Sequence, residues 1–211
     1  MSTLAVLAKS PVPGRVKTRL CPPLHAEDAA RLAEAALRDT LAAVAASPCD
    51  RHLLVLDGCP GPWLPRGFDV VPQCDGGLGE RLAGAFAVAD DRMVLVGMDT
   101  PQVTPGHLTD ALARLADDAT DAVIGDAPDG GYWAIGFDRE QPGAFTGVPM
   151  STDRTAEAQR RRLAELGLQV ALLPSLRDVD HYTDAEQVAC AAPATRFAAA
   201  FRAVSRDFVH S

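Results

Sequence analysis

The sequence predicts an α/β protein, a three-layer α/β/α sandwich around a mainly parallel, mixed sheet. Three observations carry this reading. Apolar runs such as Leu4-Ala5-Val6-Leu7-Ala8, Leu53-Leu54-Val55-Leu56 and Met93-Val94-Leu95-Val96 are continuous rather than alternating, as strands buried on both faces are. Helical patterns separate them at the spacing of βα units. No linker or low-complexity tract divides the 211 residues, so 1–211 reads as one domain with a sizeable core.

Taken in order, Leu4–Ala8 is a first strand, followed by the basic stretch Lys9–Leu20. A helix from about Glu27 to Ala46 repeats Ala33, Leu37, Leu41 and Val44 along one face and ends at Ser47-Pro48. Leu53–Leu56 is a second strand, bounded by Asp57-Gly58 and a Pro/Gly-rich loop, and Phe68–Val71 a short third. After Asp75-Gly76-Gly77-Leu78-Gly79 comes a helix to about Ala89, with Glu80 in the first turn, where the helix dipole favours an acid. Met93–Val96 is a fourth strand, apolar enough to be central, and it stops at Gly97-Met98-Asp99-Thr100-Pro101.

Thr104-Pro105 caps and opens a helix to about Ala116. Ala122–Ile124 is a fifth strand, and Asp129-Gly130-Gly131 turns into Tyr132–Phe137, which pairs back as a hairpin. A helix from about Thr152 to Leu166 closes at Gly167 and leads into a strand from Gln169 to Leu173. Thr183-Asp184-Ala185-Glu186 is a capping box for another helix, and the tail after Pro193 is a last amphipathic one.

The chain carries a formal charge of −8, yet Lys9, Arg15, Lys17 and Arg19 share one loop without an acid, and the first carboxylate is Glu27. That distribution argues against general nucleic-acid or anionic-membrane binding, which need extended basic surfaces, and points to a small anion, phosphate first. A basic surface loop that binds nothing is the plain alternative. Gly14 allows close backbone approach there. No apolar run approaches the roughly 20 residues that span a bilayer, and Lys9 interrupts any signal-peptide core, so a cytoplasmic protein is expected. The five cysteines are odd in number and lack C-x-x-C spacing, which indicates neither a disulfide framework nor structural zinc.

In open α/β sheets, ligands sit beyond the carboxyl ends of the strands. The basic loop, Gly97–Pro101 and the Asp129-Gly130-Gly131 turn all follow strands and can converge there. Asp99 suits a magnesium–phosphate complex, in which one or two carboxylates share the metal with phosphate oxygens and water; an Asx-turn ahead of Pro101 is an equal alternative. Asp178 and Asp180, in Arg177-Asp178-Val179-Asp180, fall on one side of an extended segment, or simply solvate a helix entry. Val16 stands where a Walker loop needs glycine before its Lys-Thr pair, and the G-x-G-x-x-G dinucleotide fingerprint is missing after the first strand.

With Ala8–Leu20, Leu78-Gly79-Glu80-Arg81-Leu82, Gly97–Pro101, Asp129–Tyr132 and Asp178–Asp180 in this order, the chain resembles the radical-SAM/selenodomain-associated transferase family. That family is a branch of the nucleotide-diphospho-sugar transferase (glycosyltransferase A-like) fold, near the guanylyltransferases of coenzyme F420 synthesis. His181-Tyr182 and Met150 depart from the family pattern, which usually has Thr-Pro and an aromatic there.

The resemblance implies an NTP or nucleotide-sugar over the first strand's end, held by Lys9, Gly14, Arg15, Lys17, Arg19, Leu78 and Gly79. It places Mg2+ (or Mn2+) between Asp99 and Asp180, and the acceptor against Asp129, Gly130, Gly131 and Tyr132. Lys17, Arg15 and Asp99 are then the catalytic candidates. The expected activity is a magnesium-dependent nucleotidyl transfer to a phosphate- or phosphonate-bearing acceptor, with pyrophosphate released. A glycosyltransferase using the same site and a non-catalytic nucleotide-binding protein are the alternatives.

Overall fold

A computed structural model describes residues 1–89 and 91–209. Among them the strands are β1 (Ser2–Lys9), β2 (Arg51–Asp57), β3 (Phe68–Pro72), β4 (Arg92–Gly97), β5 (Ala122–Asp126), β6 (Tyr132–Phe137) and β7 (Val170–Leu172). The helices are α1 (Ala26–Ala45), α2 (Leu78–Phe86), α3 (Pro105–Leu115), α4 (Thr155–Glu165), α5 (Tyr182–Ala191) and α6 (Arg196–Val209).

The strands form one sheet in the order β3-β2-β1-β4-β6-β5-β7. β6 runs antiparallel to both β4 and β5, and every other pairing is parallel. β4 is therefore central, as its apolar run predicts, but it has one antiparallel neighbour. The reversal brings the start of β6 to the edge where the other strands end, since Val96 pairs with Ala134 and Asp126 with Tyr132.

Alternation within the apolar runs fills both faces of the sheet. Leu4, Val6 and Ala8 of β1 pack with Ala33, Leu37, Leu41 and Val44 of α1 and with Leu108 and Leu112 of α3. Ala5 faces the other way, with Leu82 and Phe86 of α2 and Leu163 of α4. A third cluster joins α5 and α6 to the outer side of α1 through Leu32, Ala36, Val188, Phe197 and Phe201. Asp39, 9% exposed, secures α6 by accepting hydrogen bonds from the backbone N–H groups of Arg196 and Phe197. Among the described residues, no helix is long and apolar enough to cross a membrane.

Local signals hold at most helix ends. The Thr104 hydroxyl accepts from His107 N–H, Glu80 accepts from Gly77 N–H at 2.7 Å, and Gly167 takes φ 76 after α4. Several boundaries differ from the sequence expectation, among them β7, which covers only Val170–Leu172 of the expected Gln169–Leu173. α2 ends at Phe86 rather than near Ala89. α4 starts at Thr155 rather than Thr152, because Ser151 is left-handed (φ 59) and Thr155 Oγ1 accepts from Thr152 N–H, holding residues 152–155 as a turn. α5 opens at Tyr182 with His181 as its cap, two residues before the expected cap Thr183: Asp184, not Glu186, reaches back, and it takes the N–H of His181.

Candidate functional site

Two adjoining cavities open where the strands end. One, about 550 Å3, is lined by the basic loop, including Lys9, Arg15, Lys17 and Arg19, and by Gln73, Gly77, Leu78 and Arg81. The other, about 510 Å3, lies over β4 and β6 and is lined by Asp129, Gly131, Tyr132, Asp153 and Asp178. Arg19, Leu78, Asp99 and Asp180 border both. Volumes of this size fit small-molecule ligands.

The basic loop is shaped by its backbone. Gly14 has φ 74, and Lys17 is left-handed at φ 51, a conformation that costs a non-glycine residue about 1–2 kcal/mol. The Lys17 side chain is almost wholly buried; its ammonium lies 2.7 Å from Asp99 Oδ2 and donates to the Val179 carbonyl. Arg19 pairs with Asp180 at 2.5 Å. Among the described residues neither Lys9 nor Arg15 makes an ion pair. The four expected cations thus divide into two that hold acids and two that stand open.

Asp99 makes no Asx-turn. Its backbone carbonyl accepts from Val179 N–H at 2.9 Å, joining the β4 end to the segment before α5. One carboxylate oxygen meets Lys17, while Oδ1 is buried without a hydrogen-bond partner. Asp178 lies in the same field: burial, then the charge of Asp129, pushes its carboxyl up to about 6, with Asp99 adding to the rise and Lys17 opposing it. Asp180 lines both cavities, but its carboxylate is engaged by Arg19. Val179 between them is buried, as extended alternation requires.

An orphaned Asp99 oxygen beside a carboxyl disfavoured in its charged form fits a divalent cation. Among the described residues no three His, Cys or acidic side chains gather as a closed metal site. A magnesium ion shared with phosphate oxygens takes only one or two protein carboxylates.

In the cavity over β4 and β6, Asp129 Oδ1 accepts from Gly131 N–H at 2.8 Å. Gly130 does not border the cavity. At φ 91 it packs so closely on the Asp153 carbonyl that a Cβ would come within 2.0 Å, and its own carbonyl accepts from Ala156 N–H. Gly130 therefore fixes the turn, and Asp129, Gly131 and Tyr132 face the space. Burial raises the Tyr132 hydroxyl pKa, so it stays protonated. Gly79 lies outside both linings and packs near Met150.

Sequence reasoning passed over Gln73 and Arg81. The Gln73 amide donates to the carbonyls of Ala8 and Val55, and Arg81 bridges Gly76 O, Asp57 and the Gln73 carbonyl oxygen. Their signal was faint: Arg81 stood inside Leu78–Leu82, and Gln73 in no motif.

A mainly parallel sheet with one inserted reversed strand, a basic loop after β1 and a carboxylate after β4 defines the nucleotide-diphospho-sugar transferase class of fold. Within it, the chain belongs to the family described as uncharacterized proteins conserved in bacteria (DUF2064), whose profile matches residues 29–152. The chain is similar to a protein from Desulfovibrio desulfuricans G20, provisionally described as a nucleotide-diphospho-sugar transferase. The two are 28% identical over 98% of this chain and 97% of that one, with a TM-score of 0.86.

CMP:2-keto-3-deoxy-manno-octonic acid synthetase, solved with CTP, shares the fold at 14% identity and TM-score 0.53, covering 91% of this chain and 98% of its own. Glucosyl-3-phosphoglycerate synthase from Mycobacterium tuberculosis, solved with Mn2+, UDP and glucosyl-3-phosphoglycerate, does so at 13% and 0.52, covering 92% and 79%. No curated protein sequence matches the chain.

Proposed function

We propose that the protein is a divalent-metal-dependent nucleotidyltransferase that binds a nucleoside triphosphate in the basic cavity and transfers the nucleoside monophosphate to an acceptor in the adjoining one. The observation that carries this is Asp99: it borders both cavities, with one oxygen on Lys17 and the other buried and unpartnered. Lys9 and Arg15, open to solvent and without an ion pair among the described residues, receive the outer phosphates. Lys17 and Arg19 hold the junction. Asp99 and Asp178, with Asp180 beside them, hold Mg2+ or Mn2+, which when bound neutralises phosphate charge.

An acceptor oxygen attacks the α-phosphorus, the bond to the bridging oxygen breaks, and pyrophosphate leaves with its electron pair. Positioning and charge neutralisation are most of what such chemistry asks of a protein.

Glycosyl transfer from a nucleotide-sugar is the second reading, favoured by the full-length likeness to the Desulfovibrio protein. Incubation with each NTP, magnesium and a mixed pool of polyols and phosphorylated metabolites is expected to release pyrophosphate. Release from no NTP, together with nucleoside diphosphate release from a nucleotide-sugar, overturns the first reading in favour of the second. Asp99→Asn is expected to abolish turnover and leave metal-free nucleotide affinity nearly unchanged. A non-catalytic binding protein would have no turnover to lose.

A further inference from the structure

The two cavities differ in charge. Six carboxylates wall the acceptor cavity: Asp99, Asp129, Asp153, Asp178, Asp180 and Asp184. Three cations answer them, Lys17 on Asp99, Arg19 on Asp180 and Arg177 on Asp184. Among the described residues Asp129, Asp153 and Asp178 have no ion-pair partner, and Arg19, already engaged, is the one Lys or Arg in the lining. A phosphate-bearing acceptor arriving as a dianion would meet three uncompensated carboxylates and no free guanidinium or ammonium. A dication held by Asp99 and Asp178 leaves Asp129 and Asp153 unanswered, and the wall stays negative.

A second observation indicates what the cavity takes. Thr100 lines it, is 1% exposed, and its Oγ1 has no hydrogen-bond partner, although buried hydroxyls are normally bonded. The Tyr132 hydroxyl is similarly underused, at 3.4 Å from Gln159 Oε1 and 3.9 Å from Met150 Sδ. Leu78, Leu82, Leu95 and Ile135 give the same cavity an apolar side. Carboxylates that accept from hydroxyls, hydroxyls that complete the pattern and an apolar wall for a carbon ring suit a polyol.

Resting on the transferase reading above, we propose that the acceptor is a neutral polyhydroxylated molecule with neither phosphate nor carboxylate, attacking through one of its hydroxyls. As the new bond from that oxygen forms and the bond to the leaving phosphate breaks, the hydroxyl proton passes to a carboxylate of the wall. This replaces the phosphate- or phosphonate-bearing acceptor that the sequence suggests.

The test pairs polyols with their phosphate esters: glycerol with glycerol 3-phosphate, glucose with glucose 6-phosphate, inositol with inositol 1-phosphate. Donor and magnesium are held fixed, donor consumption is read, and donor affinity is measured alongside by calorimetry. At least one neutral member is expected to raise consumption tenfold or more while its ester does not. Asp153→Lys, at an exposed position, is expected to lower the KM for the ester and raise it for the parent. Consumption raised by an ester above its parent, or unmoved by every polyol while donor still binds, overturns the acceptor class and leaves the transferase reading standing. Donor neither bound nor consumed overturns both.

Discussion

The Lys17 ammonium lies 2.7 Å from Asp99 Oδ2 and also donates to the Val179 carbonyl, so one side chain ties the loop after β1 to the end of β4 and to the segment before α5. It sits on the carboxylate that a metal would use under the proposed function, so ammonium and metal would compete for Asp99. Lys17→Met is expected to tighten Mn2+ binding in calorimetry without nucleotide. Turnover should fall by about 10²–10³-fold, the scale for losing one preorganised charge partner of the transition state. Weaker metal binding in the variant would contradict the competition.

Asp178 supplies a pH test. In the metal-free protein its carboxyl is raised to about 6 by burial and its acidic neighbours, against about 3.9 for an unperturbed aspartate. The folded state therefore binds this proton more tightly than the unfolded chain does. The stability it contributes is complete below about pH 4 and is lost as pH rises through 6. Metal-free Asp178→Asn is expected to melt above the parent at pH 7.5 and level with it near pH 4. Added magnesium should raise the parent's Tm and move the variant's less.

Arg15 is exposed and, among the described residues, without an ion-pair partner, so its removal should cost the fold little. Charge-assisted hydrogen bonds contribute about 1.5–3 kcal/mol, so Arg15→Ala should weaken nucleotide affinity roughly 10- to 100-fold with an unchanged urea midpoint. Arg38→Ala, which removes a helix-surface pair with Glu34, should leave nucleotide affinity untouched.

Two glycines with positive φ separate strain from collision. Gly14→Ala meets nothing within 4 Å and should cost only the left-handed conformation, about 1–2 kcal/mol. Gly130→Ala drives a methyl to 2.0 Å from the Asp153 carbonyl and must move the turn; about 3–5 kcal/mol is expected, read as a lowered urea midpoint.

What could be read from the sequence was whatever local pattern determines. The continuous runs of β1 and β4, the α1 stripe from Ala33 to Val44, the Thr104 cap and the Gly167 stop all depend on near neighbours, and each appears where the pattern puts it. The Tyr132–Phe137 hairpin was equally visible, but its insertion between β4 and β5 was not, because pairing with β4 is settled by tertiary contact. The site divides in the same way. Alternation placed Asp178 and Asp180 on one side; that Asp180 pairs with Arg19 while Asp178 shares the field of Asp99 depends on which cation reaches which acid. Gln73 and Arg81 were hidden because they join β1, β2 and α2 through single side chains.

The reversed direction of β6 brings to one edge two cavities that a uniformly parallel sheet would have set apart. A six-residue strand spans about 20 Å, so a parallel β6 would begin at the far edge and carry Asp129 and Tyr132 away from the basic loop. Running backwards, it starts at the edge where β1, β2 and β4 end, beside the cavity lined by Lys9, Arg15 and Lys17. Under the proposed function, residues 129–132 can then change what meets the acceptor while Lys9, Arg15 and Lys17 stay in place.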